Sequence, residues 1–262
     1  PLRFDLGDYV SPEHPEILVA GCGTGQHVLN TASRFSNARV LAVDLSLNSL
    51  SYALRKTTEL GFSNIEYVQG DILELGKLKR QFDLIECAGV LHHLGDPLAG
   101  WRILVDLLRP GGIMKISLYS ELARSGLERL GAELPAESSG AADRIREFRH
   151  EIFAMPDDAP LKRVLSLSDF YALSDCRDLL FHSEEHRFTL PQISRLLEEL
   201  ALEFLGFEMR GRGAIDRYLA RFPDDPAAVN LNNWHSFETD NPDIFIGMYQ
   251  FWVRPRGEAA AG

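Results

Sequence analysis

The sequence predicts an α/β protein built on a doubly wound, mostly parallel sheet. Between residues 16 and 120, short apolar runs rich in β-branched residues alternate with longer segments of helical periodicity. Strands that alternate with helices pair in parallel and carry helices on both faces of the sheet. In such a sheet, ligands bind at the carboxyl ends of the strands, near the point where the strand order reverses.

Five strands and three helices are predicted in this part of the chain. The strands are expected at 17–20, 40–43, 65–68, 82–85 and 113–118, and the helices at 27–35, 47–60 and 97–108. Asp96-Pro97 is typical of a helix start, and the Arg-Pro-Gly-Gly run from Arg109 is typical of a stop.

The pattern changes after Tyr119. Residues 121–188 place Pro, Ser and Gly around helical pieces at 141–153 and 161–181, which predicts a helical insertion. An amphipathic helix is expected at 189–202, with Pro191 in its first turn, and a strand at 207–210. Residues 223–243 are rich in Asn, Asp and Pro and indicate a loop before a final strand at 244–253.

Composition limits the classes of function. The 262 residues are 45% hydrophobic and 25% charged, with a net charge of −11, so the surface repels phosphate backbones and nucleic acid is an unfavourable partner. No apolar run approaches the length of a membrane span. Three scattered cysteines favour neither a disulfide framework nor a zinc site, and indicate a reducing cytoplasm. The chain begins at Pro1 instead of Met, so either a processed form or a piece of a longer protein with an additional upstream domain is expected.

A glycine loop follows the first predicted strand directly. Gly21, Gly23 and Gly25 leave no side chain where the backbone must approach a ligand closely. A dinucleotide fingerprint would place its third glycine at position 26, where this chain has Gln26. The spacing therefore argues against a nicotinamide cofactor.

Carboxylates follow the next two strands. Asp44 ends the second strand, where its oxygens can accept hydrogen bonds from both ribose hydroxyls of a nucleoside. Asp71 follows the third strand, where it can accept from an adenine amino group or merely cap a turn. The fourth strand leads into Cys87-Ala88 and then into His92-His93-Leu94.

In this order, the glycine loop, the two carboxylates, the His pair and the Pro-Gly-Gly turn resemble the class I S-adenosylmethionine (SAM) methyltransferases. The resemblance covers residues 16–120. It implies a Rossmann-like, seven-stranded sheet closed by an antiparallel hairpin, SAM as cofactor and S-adenosylhomocysteine as product. A metal is optional for this chemistry, and no clustered ligand spacing in the sequence favours one. The cofactor contacts that it implies are Gly21, Cys22, Gly23, Thr24, Gly25, Asp44, Leu45, Gly70, Asp71, Ile72, Cys87 and Ala88.

The chain departs from this family at one position. Class I methyltransferases usually carry an acidic residue two positions before the first loop glycine, and this chain has Val19 there. We therefore expect the usual contact with the amino group of the cofactor to be altered. The layout is also similar to methyltransferase domains that follow tetratricopeptide repeats in some bacterial proteins.

Several aromatic residues and histidines are candidates for the acceptor side. His93, and next His92, can act as a general base or orient the acceptor, or can fix the loop by hydrogen bonding. Tyr119 and His186 are further candidates for acceptor contact, as are Trp234 and His235. The aromatic residues of the segment at 234–238 can form a lid over the acceptor or pack the insertion onto the sheet, and Tyr119 has the same two alternatives. His186 can have a metal-binding or catalytic role, or can lie in a solvated, charged turn before the helix that starts at residue 189.

The sequence thus predicts three parts. Residues 1–120 form the SAM-binding core, residues 121–188 a helical cap, and residues 189–262 complete the core with a helix, two strands and a substrate-side loop at 211–243. The predicted function is direct methyl transfer from SAM to an O, N or C atom of a small molecule or peptide. The alternatives are a protein-directed methyltransferase, a SAM-binding module without catalysis, and an NAD-dependent oxidoreductase.

Overall fold

The computed structural model describes residues 12–125, 140–159, 162, 164–165, 170–171, 176, 185–209, 213–242 and 244–256. The strands are β1 (Glu16–Ala20), β2 (Arg39–Asp44), β3 (Ile65–Gln69), β4 (Phe82–Ala88), β5 (Leu108–Leu118), β6 (Leu202–Phe207) and β7 (Tyr249–Pro255). The α-helices named below are α1 (Gln26–Arg34), α2 (Leu47–Glu59), α3 (Pro97–Asp106), α4 (Gly140–Ala154), α5 (Leu190–Glu199), α6 (Gly213–Arg221) and α7 (Leu231–Asp240). Short 3₁₀ helices span Ile72–Lys77 and Leu91–His93.

The seven strands form one sheet in the order β3-β2-β1-β4-β5-β7-β6. β1 pairs in parallel with both β2 and β4, and β7 alone runs antiparallel to its neighbours β5 and β6. The chain leaves the centre in one direction through β2 and β3, then returns and continues through β4 and β5. The strand order therefore reverses between β1 and β4. The predicted doubly wound sheet with an antiparallel final hairpin is confirmed.

Successive side chains of the central strands point to opposite faces of the sheet and so contribute to two apolar layers, one on each face. In β1, Leu18 faces a core shared with Trp101 of α3 and Ile193 of α5. Ile17 and Val19 face the opposite layer, which includes residues of α1 and α2. Because both faces are covered, residues 17–20 of β1 form an unbroken apolar run, as expected for a central parallel strand.

The predicted loop at 211–243 is wrong: this segment contains the helices α6 and α7. Pro223, Asp224, Asp225 and Pro226 occupy the turn between the two helices, and the Asn230 side chain caps α7 by accepting the N–H groups of Asn232 and Asn233. Tyr218 of α6 stacks on Trp234 of α7 with ring centroids 3.9 Å apart. Turn and capping residues are common to loops and helix ends, so composition alone did not separate the two.

Other element boundaries also shift. The predicted strand at 207–210 lies earlier, in β6, and the strand predicted at 244–253 begins only at Tyr249. The insertion contains α4 close to its predicted position, and its side chains Ile145, Phe148 and Ile152 form a small core with Val164, Phe170 and Cys176. The predicted helix at 161–181 lies mostly outside the described residues.

A buried carboxylate fastens α7 to the sheet. Glu238 is 1% exposed and accepts hydrogen bonds from Ser120 Oγ at 2.6 Å and from Tyr249 Oη at 2.7 Å. Ser120 follows β5 and Tyr249 begins β7, so one side chain joins a helix to two strands. Burial raises the pKa of Glu238 above its ordinary value, although both hydroxyl donors oppose the shift.

This raised pKa gives a test of the fold. Below the ordinary pKa of glutamate, about 4.3, the side chain is protonated in both the folded and the unfolded state. As the pH rises past that value, the unfolded chain ionises first, so this residue's contribution to the free energy of unfolding falls. We therefore expect Glu238→Gln to gain thermal stability relative to the parent protein between about pH 4 and pH 7. Thermal unfolding across this range checks the trend. Glu147→Gln, at an exposed position on α4, is the control, and a difference in melting temperature that does not vary with pH would contradict the assignment.

Candidate active site

A cavity of about 640 Å³ opens at the carboxyl ends of the parallel strands. It lies where the strand order reverses, as expected for a doubly wound sheet. Ten of the twelve predicted cofactor contacts line it: Gly21, Cys22, Gly23, Thr24, Asp44, Leu45, Gly70, Asp71, Ile72 and Ala88. The structure therefore brings together residues that are spread over nearly seventy positions of sequence.

The glycine loop is held against the end of β2 by backbone hydrogen bonds. The N–H groups of Gly21 and Cys22 both donate to the Val43 carbonyl, at 2.8 and 2.9 Å. Gly21 and Gly23 have φ angles of 76° and 52°, a region that favours glycine. A Cβ on Gly21 would overlap the Val90 side chain, whereas a Cβ on Gly23 would meet no protein atom within 4 Å. Gly21 is thus required by packing, and Gly23 keeps the loop backbone open to solvent.

Asp44 connects this loop to the start of α2. One carboxylate oxygen accepts the Gly23 N–H at 2.7 Å, and the other accepts the Ser46 N–H at 2.8 Å. Each carboxylate oxygen has a second lone pair, so Asp44 keeps acceptor capacity for a ligand. The residue predicted to bind a ribose therefore also shapes the loop.

Asp71 has the capping role that the sequence left open. Its Oδ1 accepts the Leu73 N–H at 2.9 Å and so caps the first 3₁₀ helix. The same side chain lines the cavity, and a carboxylate has two oxygens, so capping and ligand binding are compatible. Ile72 lies beside it and is 5% exposed.

Gly25 and Cys87, the other two predicted contacts, do not line the cavity. Gly25 is buried at the N-cap of α1, where a Cβ would lie 2.7 Å from Ala53 Cβ. Cys87 is fully buried in β4. Burial raises the pKa of the Cys22 and Cys87 thiols to about 12, so neither is a thiolate near neutral pH. Both cysteines fill space as small apolar side chains.

The two histidines of the second 3₁₀ helix have different surroundings. His93 is half-buried and lines the cavity. His92 is fully buried, with its ring 3.8 Å from the Tyr119 ring, and its carbonyl accepts the His186 N–H at 2.8 Å. His93 is therefore the member of the pair that can reach a ligand.

The four predicted acceptor contacts lie outside the cavity wall. Tyr119 is packed between His92 and the Arg124 guanidinium, which lies 3.6 Å from the centre of its ring. The His186 and His235 side chains are exposed elsewhere. Trp234 is fully buried and donates its indole N–H to the Ala228 carbonyl at 2.8 Å. Trp234 thus packs α7 onto α6 and the sheet.

Sequence reasoning missed the residues that other elements bring to this edge. Met248 and Gln250 reach the cavity because β7 pairs with β5, where Gln250 lies opposite Ser117. Gln26, His27 and Asn30 come from the first turns of α1. The sequence could have indicated the α1 residues, because a helix that starts at a glycine loop places its first residues next to that loop. The β7 residues had no local signal.

A larger hollow of about 730 Å³ lies at the opposite edge, around the amino ends of the strands. Its basic side chains are largely neutralised: Arg80 pairs with Glu16 and Glu66, and Arg109 pairs with Asp83. It has none of the convergent loop and carboxylate geometry of the carboxyl edge. Within the described residues, no three His, Cys, Asp or Glu side chains are grouped to hold a metal ion, and no described helix has the length and apolar character of a membrane span.

Comparison with known proteins agrees with this geometry. Residues 17–112 match a family model described as "Methyltransferase domain". An uncharacterized protein of Synechococcus sp. is 33% identical over 213 residues, covering 78% of this chain and 51% of that protein. The ubiquinone biosynthesis O-methyltransferase of Paracidovorax citrulli is 30% identical over 136 residues, covering 51% of this chain and 56% of the enzyme. The chain thus spans about half the length of the curated relatives it matches.

Two solved structures share the fold at 16% sequence identity. PKMT2 from Rickettsia typhi in complex with AdoHcy has a TM-score of 0.70, covering 98% of this chain and 52% of that chain. A S-adenosylmethionine-dependent methyltransferase from Clostridium acetobutylicum has a TM-score of 0.50, covering 92% of this chain and 84% of that chain. The family match favours methyl transfer over the oxidoreductase alternative. Residues 17–112 thus match a methyltransferase domain, and the sheet has the fold seen in a solved SAM-dependent methyltransferase.

Proposed function

We propose that this chain transfers the methyl group of SAM directly to an O, N or C atom of a small molecule or peptide. The observation that carries the proposal is the continuity of one cavity. It joins the glycine loop and Asp44 at one end to His93 and Met248 at the other. A volume of about 640 Å³ is in the usual range for small-molecule sites, and it leaves space for an acceptor group beside a nucleoside.

The residues divide the cavity into a cofactor end and an acceptor end. Asp44 and Asp71, at the ends of β2 and β3, supply acceptors for the ribose and adenine. SAM supplies an electrophilic sulfonium methyl, so the protein has mainly to align a nucleophile with the S–CH₃ bond. His93, Ser117 and Gln250 offer polar atoms for that alignment, and Met248 gives an apolar surface.

His93 is the residue of the acceptor end that can take up a proton. A base is needed only when the acceptor loses its proton during transfer, as a hydroxyl or a protonated amine does. We propose that His93 accepts this proton, because the other three acceptor-end side chains are neutral and not basic. His92 contributes by packing, since its ring lies under Tyr119.

We further propose that residues 121–188 form a cap that selects the acceptor. None of the described residues in this range lines the cavity. The small core of the cap does pack against Ile246, two positions before the cavity residue Met248. A cap attached there can influence the acceptor end without contacting the cofactor end.

The cofactor assignment predicts a specific loss of affinity. Asp44→Ala removes a charged acceptor from the ribose position and releases the Gly23 N–H. We expect binding of SAM and S-adenosylhomocysteine to weaken by about 1.5–3 kcal/mol, the scale for hydrogen bonds to a charged group. Isothermal titration measures it, with NADH as a ligand control and Asp106→Ala, at an exposed position on α3, as the matched variant. Unchanged affinity in Asp44→Ala would remove the ribose assignment.

The proposed base gives a second prediction. His93→Gln should lower kcat by about 10²–10⁴-fold for an acceptor that must lose a proton. Affinity for S-adenosylhomocysteine should stay within about twofold, because His93 lies at the acceptor end. Steady-state kinetics with such an acceptor, together with titration of the product, separates the two quantities. Equal losses in kcat and product affinity would instead make His93 a residue that supports the cavity.

The acceptor class is decided by following the methyl group. SAM labelled on its methyl is incubated with a panel of amines, phenols and carboxylic acids, and separately with the protein fraction of a bacterial lysate. Label in small molecules supports the proposal, and label only in protein supports the protein-directed alternative. Binding of S-adenosylhomocysteine without label in either fraction would favour a SAM-binding module without catalysis.

A further inference from the structure

Glu86 is a charged residue in the middle of the sheet. It lies on the central strand β4, opposite Val19 of β1 on one side and Lys115 of β5 on the other. Glu86 is 4% exposed. Burying a carboxylate is costly unless it is paired and hydrogen-bonded, so its partners indicate what it does.

Two partners come from one face of α1. The Thr31 hydroxyl donates to Glu86 Oε2, and His27 Nε2 lies 3.2 Å from the same oxygen. His27 and Thr31 are four residues apart, so they project from the same side of the helix. Burial raises the pKa of Glu86, but the contacts with His27 and Thr31, with help from Lys115, lower it below its usual value. Glu86 is therefore an ionised carboxylate near neutral pH.

The neighbouring Lys115 pairs elsewhere, which leaves His27 as the basic side chain in contact with Glu86. Lys115 is 4% exposed, and its ammonium contacts Glu208 Oε2 at 2.7 Å. Lys115 thus forms its ion pair with Glu208 and attracts Glu86 only at longer range. The imidazole of His27 fills the remaining position against the carboxylate.

His27 joins this buried charge to the cavity. One third of its side chain is exposed, and it lines the cavity with Gln26 and Asn30. It is the second residue of α1, and no side chain caps the helix start at Gly25. The free N–H groups and dipole of a helix start favour a negative group, and an imidazole held by a carboxylate can donate to one.

The order of the strands locates this wall relative to the rest of the site. Asp71 follows β3, Asp44 ends β2, the glycine loop follows β1, and Glu86 lies on β4. An adenosine held by Asp71 and Asp44 therefore extends its 5′ substituent past the loop toward β4. In SAM this substituent ends in an amino acid with one carboxylate.

We propose that His27, held in place by Glu86, binds the carboxylate of the amino-acid moiety of SAM; this rests on the proposed function. His27 is the binding residue, and Glu86 is a positioning residue that acts through it. Glu86 is the strand neighbour of Val19, so in this chain the acidic residue of the region lies on β4 and not on β1.

The test compares SAM with decarboxylated SAM, which lacks only the carboxylate and keeps the ammonium and the sulfonium. In isothermal titrations, His27→Gln should weaken SAM at least fivefold and change the affinity for decarboxylated SAM less than twofold. Glu86→Gln should give the same ligand-specific loss. The double variant should lose no more than His27→Gln alone, because both residues act on one contact. His150→Gln, at an exposed position on α4, is the control for losing a histidine.

Two results would overturn the proposal. Equal losses of affinity for both ligands in His27→Gln would mean that His27 and Glu86 support the loop and do not bind the carboxylate of SAM. Losses that add in the double variant would mean that Glu86 acts independently of His27. If Glu86→Gln does not fold, His27→Gln decides alone, because its side chain is partly exposed. Failure of the parent protein to bind SAM, S-adenosylhomocysteine or decarboxylated SAM would instead overturn the proposed function itself.

Discussion

The site depends on how the glycine loop is fixed to the neighbouring strand. Two backbone N–H groups of the loop share the Val43 carbonyl, and the next available N–H donates to Asp44. These bonds exist because β1 and β2 are parallel and in register to their carboxyl ends. The loop therefore has its shape before any ligand binds, and ordering it on binding costs little free energy.

The opposite wall of the cavity depends on the one antiparallel strand. β7 is inserted between β5 and β6, so the start of β7 lies beside the carboxyl end of β5. Met248 and Gln250 thus face the same space as His93, although more than 150 residues separate them in sequence. Glu238 stabilises the pairing of β5 with β7 by accepting hydrogen bonds from both Ser120 and Tyr249. The cofactor end is built from local strand-loop units, whereas the acceptor end is built from long-range pairing.

That difference explains what the sequence could predict. The strand-helix alternation, the glycine loop, Asp44 and Asp71 are local patterns, and the structure brings the loop and both carboxylates together. Trp234 carried no local sign of its environment: it packs on Tyr218, sixteen residues away, through a helix pair whose Asn and Pro residues resembled a loop. His92 and His93 are adjacent and identical, and only the 3₁₀ turn decides which one reaches the cavity.

Glu86 shows that a departure in one motif has to be judged in three dimensions. Along the chain, Val19 removes an acidic residue from β1, and sequence alone predicts an altered contact there. Across the sheet, the neighbouring residue of Val19 is a carboxylate on the same face. The sequence did carry a sign of it, because Glu86 lies between the apolar residues Ile85 and Cys87 in a strand that is covered on both sides. An ionisable residue in such a strand requires a partner nearby, and here the partners Thr31 and His27 come from the helix that begins at the glycine loop. The helix that begins at the glycine loop thus holds the buried charge. Although Val19 is apolar, its strand neighbour Glu86 places an acidic group at the same level of the sheet.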